Sequence, residues 1–220
     1  MLFRSYAPEW CKYVHGTCHN LAYITDFEFD PRPVVDPAGL YDLGDSAWLT
    51  LNCYDALILN TRNMLIADVD FGEPGLDGRA GVRDCDEVLD TLGDLRRLDE
   101  EHVKSEAFRF ADQSYRVYRT HSGCRVICTS TCVSWREMGW AAAHFMRFLG
   151  GDPKYIKLCD FMECYRARLT PKPWRVNDAE AHVCSLENTC GEPRVAPELE
   201  AQLRLHDELT LPEREGTCLA

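Results

Sequence analysis

No run of about 18 apolar residues occurs anywhere in this 220-residue chain, so the sequence offers no segment fit for a transmembrane helix. The opening stretch, Met1 to Trp10, has no long apolar core and does not read as a secretory signal. Phosphate-cradling loops are missing as well. There is no Walker pattern, no Gly-x-Gly-x-x-Gly and no Gly-x-Ser-x-Gly, which argues against P-loop, dinucleotide-fold and α/β-hydrolase chemistry. No internal repeat or low-complexity tract appears, so a solenoid is not expected. Cysteine, by contrast, is plentiful. Twelve are scattered through the chain, and with no secretory signal they point to free thiols in a reducing, cytoplasmic setting.

A hydrophobic share of 45% suits one globular domain, with or without appendages. The net charge of −12 is unevenly spread: residues 26–110 carry 8 basic and 20 acidic side chains, residues 111–175 carry 11 and 5. An acidic total opposes indiscriminate nucleic-acid binding, while a basic segment within it can still hold a few phosphates. Two alternatives stand beside that reading. The blocks can neutralise one another across the fold, or the acidic 26–110 block can meet a basic protein partner.

Hydrophobic patterning divides the chain into an N-terminal extension (1–46), a core (47–175) and an acidic C-terminal extension (176–220) expected to pack on the core. Ala47–Leu51 and Ala56–Leu59 read as short strands. The second feeds through the turn-prone Asn60-Thr61-Arg62-Asn63 into a strand over 64–71, making a hairpin region. Val88, Leu92, Leu95 and Leu98 recur at helical spacing across 84–110, with a break suggested near Gly93. Tyr115–Thr120 and Cys124–Ser130 flank His121-Ser122-Gly123 as a β-hairpin. Ser134 with Glu137 predicts a capping box for a helix running to Gly150-Gly151, followed by a helical turn near Pro153–Leu158. Residues 163–170 alternate as a strand, and a last amphipathic helix covers Pro197 to Leu209, with Leu199, Leu203 and His206 on one side.

Without the ends, that order is β-α-β-β-α-β, which predicts an α+β fold of the RRM-like or ferredoxin-like split βαβ type. In such a sheet the first strand lies between the third and the fourth, with both helices on one face and the other face open. The first strand, Asn63 to Gly72, then becomes the centre of interest. Asp68 and Asp70 fall two residues apart on one side of it, roughly 6–7 Å apart at strand rise. Carboxylates that end an apolar strand must stay wet, pair with cations or hold a metal, and Mg²⁺ or Mn²⁺ would take them together with phosphate oxygens. On the same open face the alternation places Arg125 on the third strand and Arg166, Arg168 and Thr170 on the fourth. Guanidinium groups so placed could clamp phosphates bidentately. The plain alternative is an Arg–Asp network that satisfies itself and binds nothing.

These residues resemble the catalytic core of the archaeo-eukaryotic primase (primase-polymerase) superfamily. The family's first motif is a hydrophobic strand ending Asp-x-Asp, here Asp68-Val69-Asp70. A second motif lies in a hairpin and ends in His, where this chain has Arg125. The third is a single Asp after the second helix, for which Asp152 in Gly151-Asp152-Pro153 is the nearest match. Arg168-Leu169-Thr170-Pro171-Lys172 loosely parallels a further Arg- and Lys-bearing segment. The stretch from Arg166 to Arg175 also looks like a group of proteins with no assigned activity.

The resemblance implies a metal-dependent nucleotidyltransferase acting on nucleoside triphosphates and a DNA or RNA strand. Asp68 and Asp70, with Asp152, would be catalytic, and Asp68 and Asp70 would hold Mg²⁺ or Mn²⁺. Arg125, Arg166, Arg168, Lys172 and Arg175 would bind phosphates; for a non-catalytic module on the same sheet, Tyr118 and Trp174 are the candidate stacking platforms beside them. A non-catalytic nucleotide or nucleic-acid module on the same sheet is the alternative, and a protein-interaction domain is a third. Zinc is not expected. The spacings of Cys11, His15, Cys18 and His19, and of Cys159, Cys164, His182, Cys184 and Cys190, match no structural site. The dipeptide His206-Asp207 reads as helix surface.

Overall fold

The computed structural model describes residues 32–33, 43–52, 56–72, 81–103, 108–170 and 183–211. Most of the expected N-terminal extension lies outside these residues, as do Cys11, His15, Cys18, His19, Lys172, Trp174, Arg175 and His182. Among the described residues the fold is α+β, with five helices and two antiparallel four-stranded sheets. None of these helices is long and apolar enough to cross a membrane.

The first sheet joins β1 (Arg32–Pro33), β2 (Ala47–Leu51), β3 (Leu57–Thr61) and β7 (Tyr165–Arg168), in that spatial order. The second runs β4 (Ile66–Asp70), β6 (Gly123–Cys128), β5 (Tyr115–Thr120) and β8 (Cys184–Cys190). Thus β3 does not fold back on β4. Its ladder partners are β2 and β7, and the chain changes sheets between Thr61 and Ile66. Gly123 permits the tight end of the β4–β6 ladder, because a Cβ there would lie 1.9 Å from the Val69 carbonyl oxygen.

Helices α1 (Cys85–Gly93) and α2 (Leu95–His102) split at Asp94, where the sequence suggests a break. Asp84 caps α1 by accepting from the Glu87 N–H at 3.0 Å. Asp99 is buried beneath α2, and its two carboxylate oxygens receive the Phe110 and Ala111 N–H groups at 2.8 and 2.9 Å. The capping box expected at α3 (Trp135–Phe148) is not formed, since the Ser134 side chain makes no cap bond. The main chain fixes that end instead: the Val133 and Trp135 N–H groups donate to the Asn63 and Arg62 carbonyls at 2.8 and 2.9 Å. Helix α4 (Pro153–Met162) begins on the Asp152 cap and extends beyond the single turn expected there. Phe145 of α3 stacks on Phe110 and Tyr115, one link in an apolar core that includes Val88, Val117 and Val126.

Two features depart from the expected open sheet. The edge of β4 away from β6 is not laddered to β7. Tyr155 of α4 places its hydroxyl 3.0 Å from both the Ile66 and Arg166 carbonyl oxygens and accepts from the Arg166 N–H at 3.2 Å. The Asp152 N–H occupies the next carbonyl along, that of Asp68, at 2.9 Å. The first turns of α4 therefore fill the seam between the two sheets. The other departure is C-terminal. The stretch past Trp174 supplies the expected last helix, α5 (Glu200–Thr210), and also strand β8, paired with β5, which was not expected. Helix α5 buries Leu203, Leu205, His206 and Thr210. It lies on the sheet face that carries Asp68, Arg125 and Tyr118, so that face is covered, not open. Sequence pattern alone could not show this, since an amphipathic stripe records that a face is buried without recording against what.

Candidate functional site

Side-chain alternation from β4 through β6 to β5 sets Asp68, Arg125 and Tyr118 in register across three strands. On β6 Arg125 is only 2% exposed, whereas Asp68 keeps 30% of its side chain in water near the end of β4. A buried guanidinium must be paired and hydrogen-bonded to persist. Arg125 donates from Nε to Asp68 Oδ1 at 2.8 Å and from Nη2 to Asp68 Oδ2 at 3.3 Å, a bidentate fork. Its Nη1 donates to the Arg168 carbonyl at 3.1 Å and faces His206 Nε2 at 3.3 Å. Burial alone would lower the Arg125 pKa, but the Asp68 carboxylate outweighs it and the net shift is upward.

The network continues through α5. Arginine has no acceptor, so His206 Nε2 accepts from Arg125; in the neutral ring Nδ1 then carries the proton and donates to Asp207 Oδ1 at 3.0 Å. The same Asp207 carboxylate accepts from Tyr118 Oη at 2.8 Å and from Arg116. His206 is fully buried, and its pKa lies below the ordinary value because burial disfavours the imidazolium, with Arg125 adding to that and Asp207 opposing it. Burial and the neighbouring Asp207 likewise push the Tyr118 phenol upward.

The remaining candidates divide. Asp70 is exposed at the end of β4, opposite Gly123. Asp152 is drawn to the same place through its main-chain bond to Asp68, but its carboxylate caps α4 by accepting from the Lys154 N–H at 2.9 Å. Arg166 is buried and donates to Asn60 Oδ1 at 3.1 Å, its partner residue across the β3–β7 ladder. Arg168 is half-buried at the end of β7. Tyr118 has no exposed ring to stack a base. Lys172 and Arg175 lie outside the described residues.

The structure thus brings Asp68, Arg125 and Tyr118 together and sets main-chain atoms of Asp152 and Arg168 beside them, while Arg166 and Arg168 both belong to β7 of the other sheet. Among the described residues no three His, Cys, Asp or Glu side chains are grouped to hold a metal ion. Both Asp68 oxygens accept from Arg125, so the carboxylate already has a cationic partner within the fold.

Sequence reading missed His206, Asp207, Arg116, Asn60 and Tyr155. One signal was present. His206 falls on the apolar stripe of its helix, and a polar residue in a buried stripe requires a buried partner. It is core, not helix surface. No family model, curated protein or solved structure matches this chain.

Proposed function

We propose that this protein is a non-catalytic module that binds nucleotides or nucleic acid, on a core of split βαβ type opened between β4 and β7 by Tyr155. One observation carries the non-catalytic part: the carboxylate expected to hold a catalytic metal is the counter-ion of buried Arg125. The order of β7, β4, β6 and β5 supports the core type, since β4 ladders to β6 and has β7 beyond the α4 seam. Binding is supported at the rim of the sheet, where exposed Arg119 stands 5.6 Å from the Phe71 ring centroid and His121 follows in the exposed β5–β6 turn.

The metal-dependent nucleotidyltransferase keeps one observation in its favour, the bond that holds Asp152 at Asp68. Titrating a fluorescent nucleoside triphosphate and a labelled single strand separates the readings. Binding that weakens with salt and survives EDTA supports the module. Binding that requires Mn²⁺ or Mg²⁺ restores the transferase. No binding of either probe rejects both and leaves a protein-interaction domain.

A further inference from the structure

On the opposite side of the core from α5, helices α2 and α3 pack together and leave a groove of about 400 Å³ on the surface. Trp140 and His144 stand one turn apart on α3, so their rings meet, with centroids 4.3 Å apart. The His102 ring, from the last turn of α2, lies 4.1 Å from His144 at an interplanar angle of 31°, and edge-on to Trp140 at 5.8 Å. Arg97 and Arg147 also line the groove. Arg97 rests 5.2 Å from the Phe148 ring centroid, and the acidic lining residue, Glu101, approaches His102 at 3.6 Å. Neither arginine forms a salt bridge among the described residues, although the chain carries a net charge of −12.

Packing of the fold does not account for this surface. Trp140 is 62% exposed, the most exposed of the large apolar side chains among the described residues. Its ring meets the His144 imidazole at a tilt of 54° and the His102 imidazole edge-on. An isolated exposed apolar side chain is ordinary, but one grouped with two imidazoles beside guanidinium groups that form no salt bridge among the described residues is suited to recognition. Flat ring faces take a planar heteroaromatic ring, and guanidinium groups take phosphate oxygens in pairs. An acidic peptide would use the cations and leave the rings uncovered.

We infer that the α2–α3 groove binds a nucleobase that carries a phosphate, the base against His102 and His144 of the lining and the neighbouring Trp140, the phosphate between Arg97 and Arg147. A free mononucleotide and an exposed base of a single strand share this chemistry. The inference rests on the binding-module reading and gives it a site away from the sheet. His144 is suited to the role: burial, with His102 and Arg147 beside it, lowers its pKa, so an anion in the groove would favour its protonation.

The test uses the full chain in EDTA. AMP is titrated by intrinsic fluorescence, a fluorescein-labelled oligothymidylate by anisotropy, and inorganic phosphate as competitor. Saturable quenching by AMP is expected in the unaltered chain; in the variants AMP binding is read by calorimetry, and it should be abolished in Trp140→Ala and weakened about tenfold in Arg97→Gln and in Arg147→Gln. Equal or tighter binding of AMP identifies a free nucleotide as the source, and tighter binding of the oligothymidylate identifies a strand. Inorganic phosphate competing as well as AMP would overturn the role of the rings. Binding untouched by all three substitutions but lost in Arg119→Gln would overturn the groove and leave the binding module standing. Absence of binding to the unaltered chain would remove both.

Discussion

Two groups of cationic and aromatic residues in this protein have opposite fates. Beneath α5, Arg116, Tyr118, Arg125 and His206 all lie within hydrogen-bonding reach of a partner on another element or of Asp207. On the α2–α3 surface, Arg97, Arg147, His102, His144 and Trp140 face water with a single carboxylate among the groove's lining residues. The difference teaches where to look for function. Charged groups taken out of water must be matched inside the fold, and what they bind is then the protein itself. Cations that gather at the surface beside exposed rings keep their capacity for a ligand.

That contrast can be broken in five places. Asp68→Ala should have the largest effect, because it strands buried Arg125. A loss of about 3 kcal/mol is expected in urea denaturation, the low end for a broken buried pair because Asp68 is partly wet. Unchanged stability with loss of Mn²⁺ binding would instead make Asp68 a metal ligand. Asp207→Ala removes three hydrogen-bond partners at once and should cost about 2–3 kcal/mol by the same measurement. A neutral result would mean that α5 is only loosely held to the sheet.

Tyr155→Phe tests the seam between the sheets. It removes the one O–H donor that two carbonyls share and the acceptor of the Arg166 N–H, and should cost about 1–2 kcal/mol, seen as a lowered midpoint with an unchanged m-value. The fourth test is pH. Folding depresses the His206 pKa below its ordinary 6.5, so below that pH the unfolded chain binds the extra proton. Stability should therefore be complete above about pH 6.5 and fall as pH drops, by up to about 1.4 kcal/mol per unit until the folded state also protonates. His206→Gln should flatten the profile between pH 7 and 5, and an equal slope in both proteins would exclude His206 as the source. The smallest effect belongs to the exposed surface: Trp140→Ala should move stability by no more than about 0.5 kcal/mol. A large drop in its melting midpoint would show that the ring group holds α2 and α3 together and is not a surface awaiting a ligand.

Much of the secondary structure was legible from local pattern. The hairpin of β5 and β6, the helix after Ser134 and the break between α1 and α2 all follow from alternation, from helical spacing and from Gly93. The juxtaposition of Asp68 with Arg125 was also legible, because register in a sheet propagates a face from strand to strand. Less visible was strand β8, whose run Cys184 to Cys190 is largely exposed and polar and has Thr189 as its one β-branched residue. The arginines expected on one open face are divided between two sheets: Arg166 pairs with Asn60 in a different sheet from Arg125.

The sequence by itself determined which side chains share a face of each strand and helix, since periods of 2 and 3.6 residues are local properties of the backbone. Only the tertiary structure decided whether that face meets water. Asp68 and Arg125 would be a ligand site on an uncovered sheet. Here Arg125 is buried and paired with partly wet Asp68, because α5 lays His206, 81 residues beyond Arg125, against the guanidinium. Which helix covers which sheet is a matter of long-range packing, and desolvation, set by that packing, separates a structural charge from a functional one.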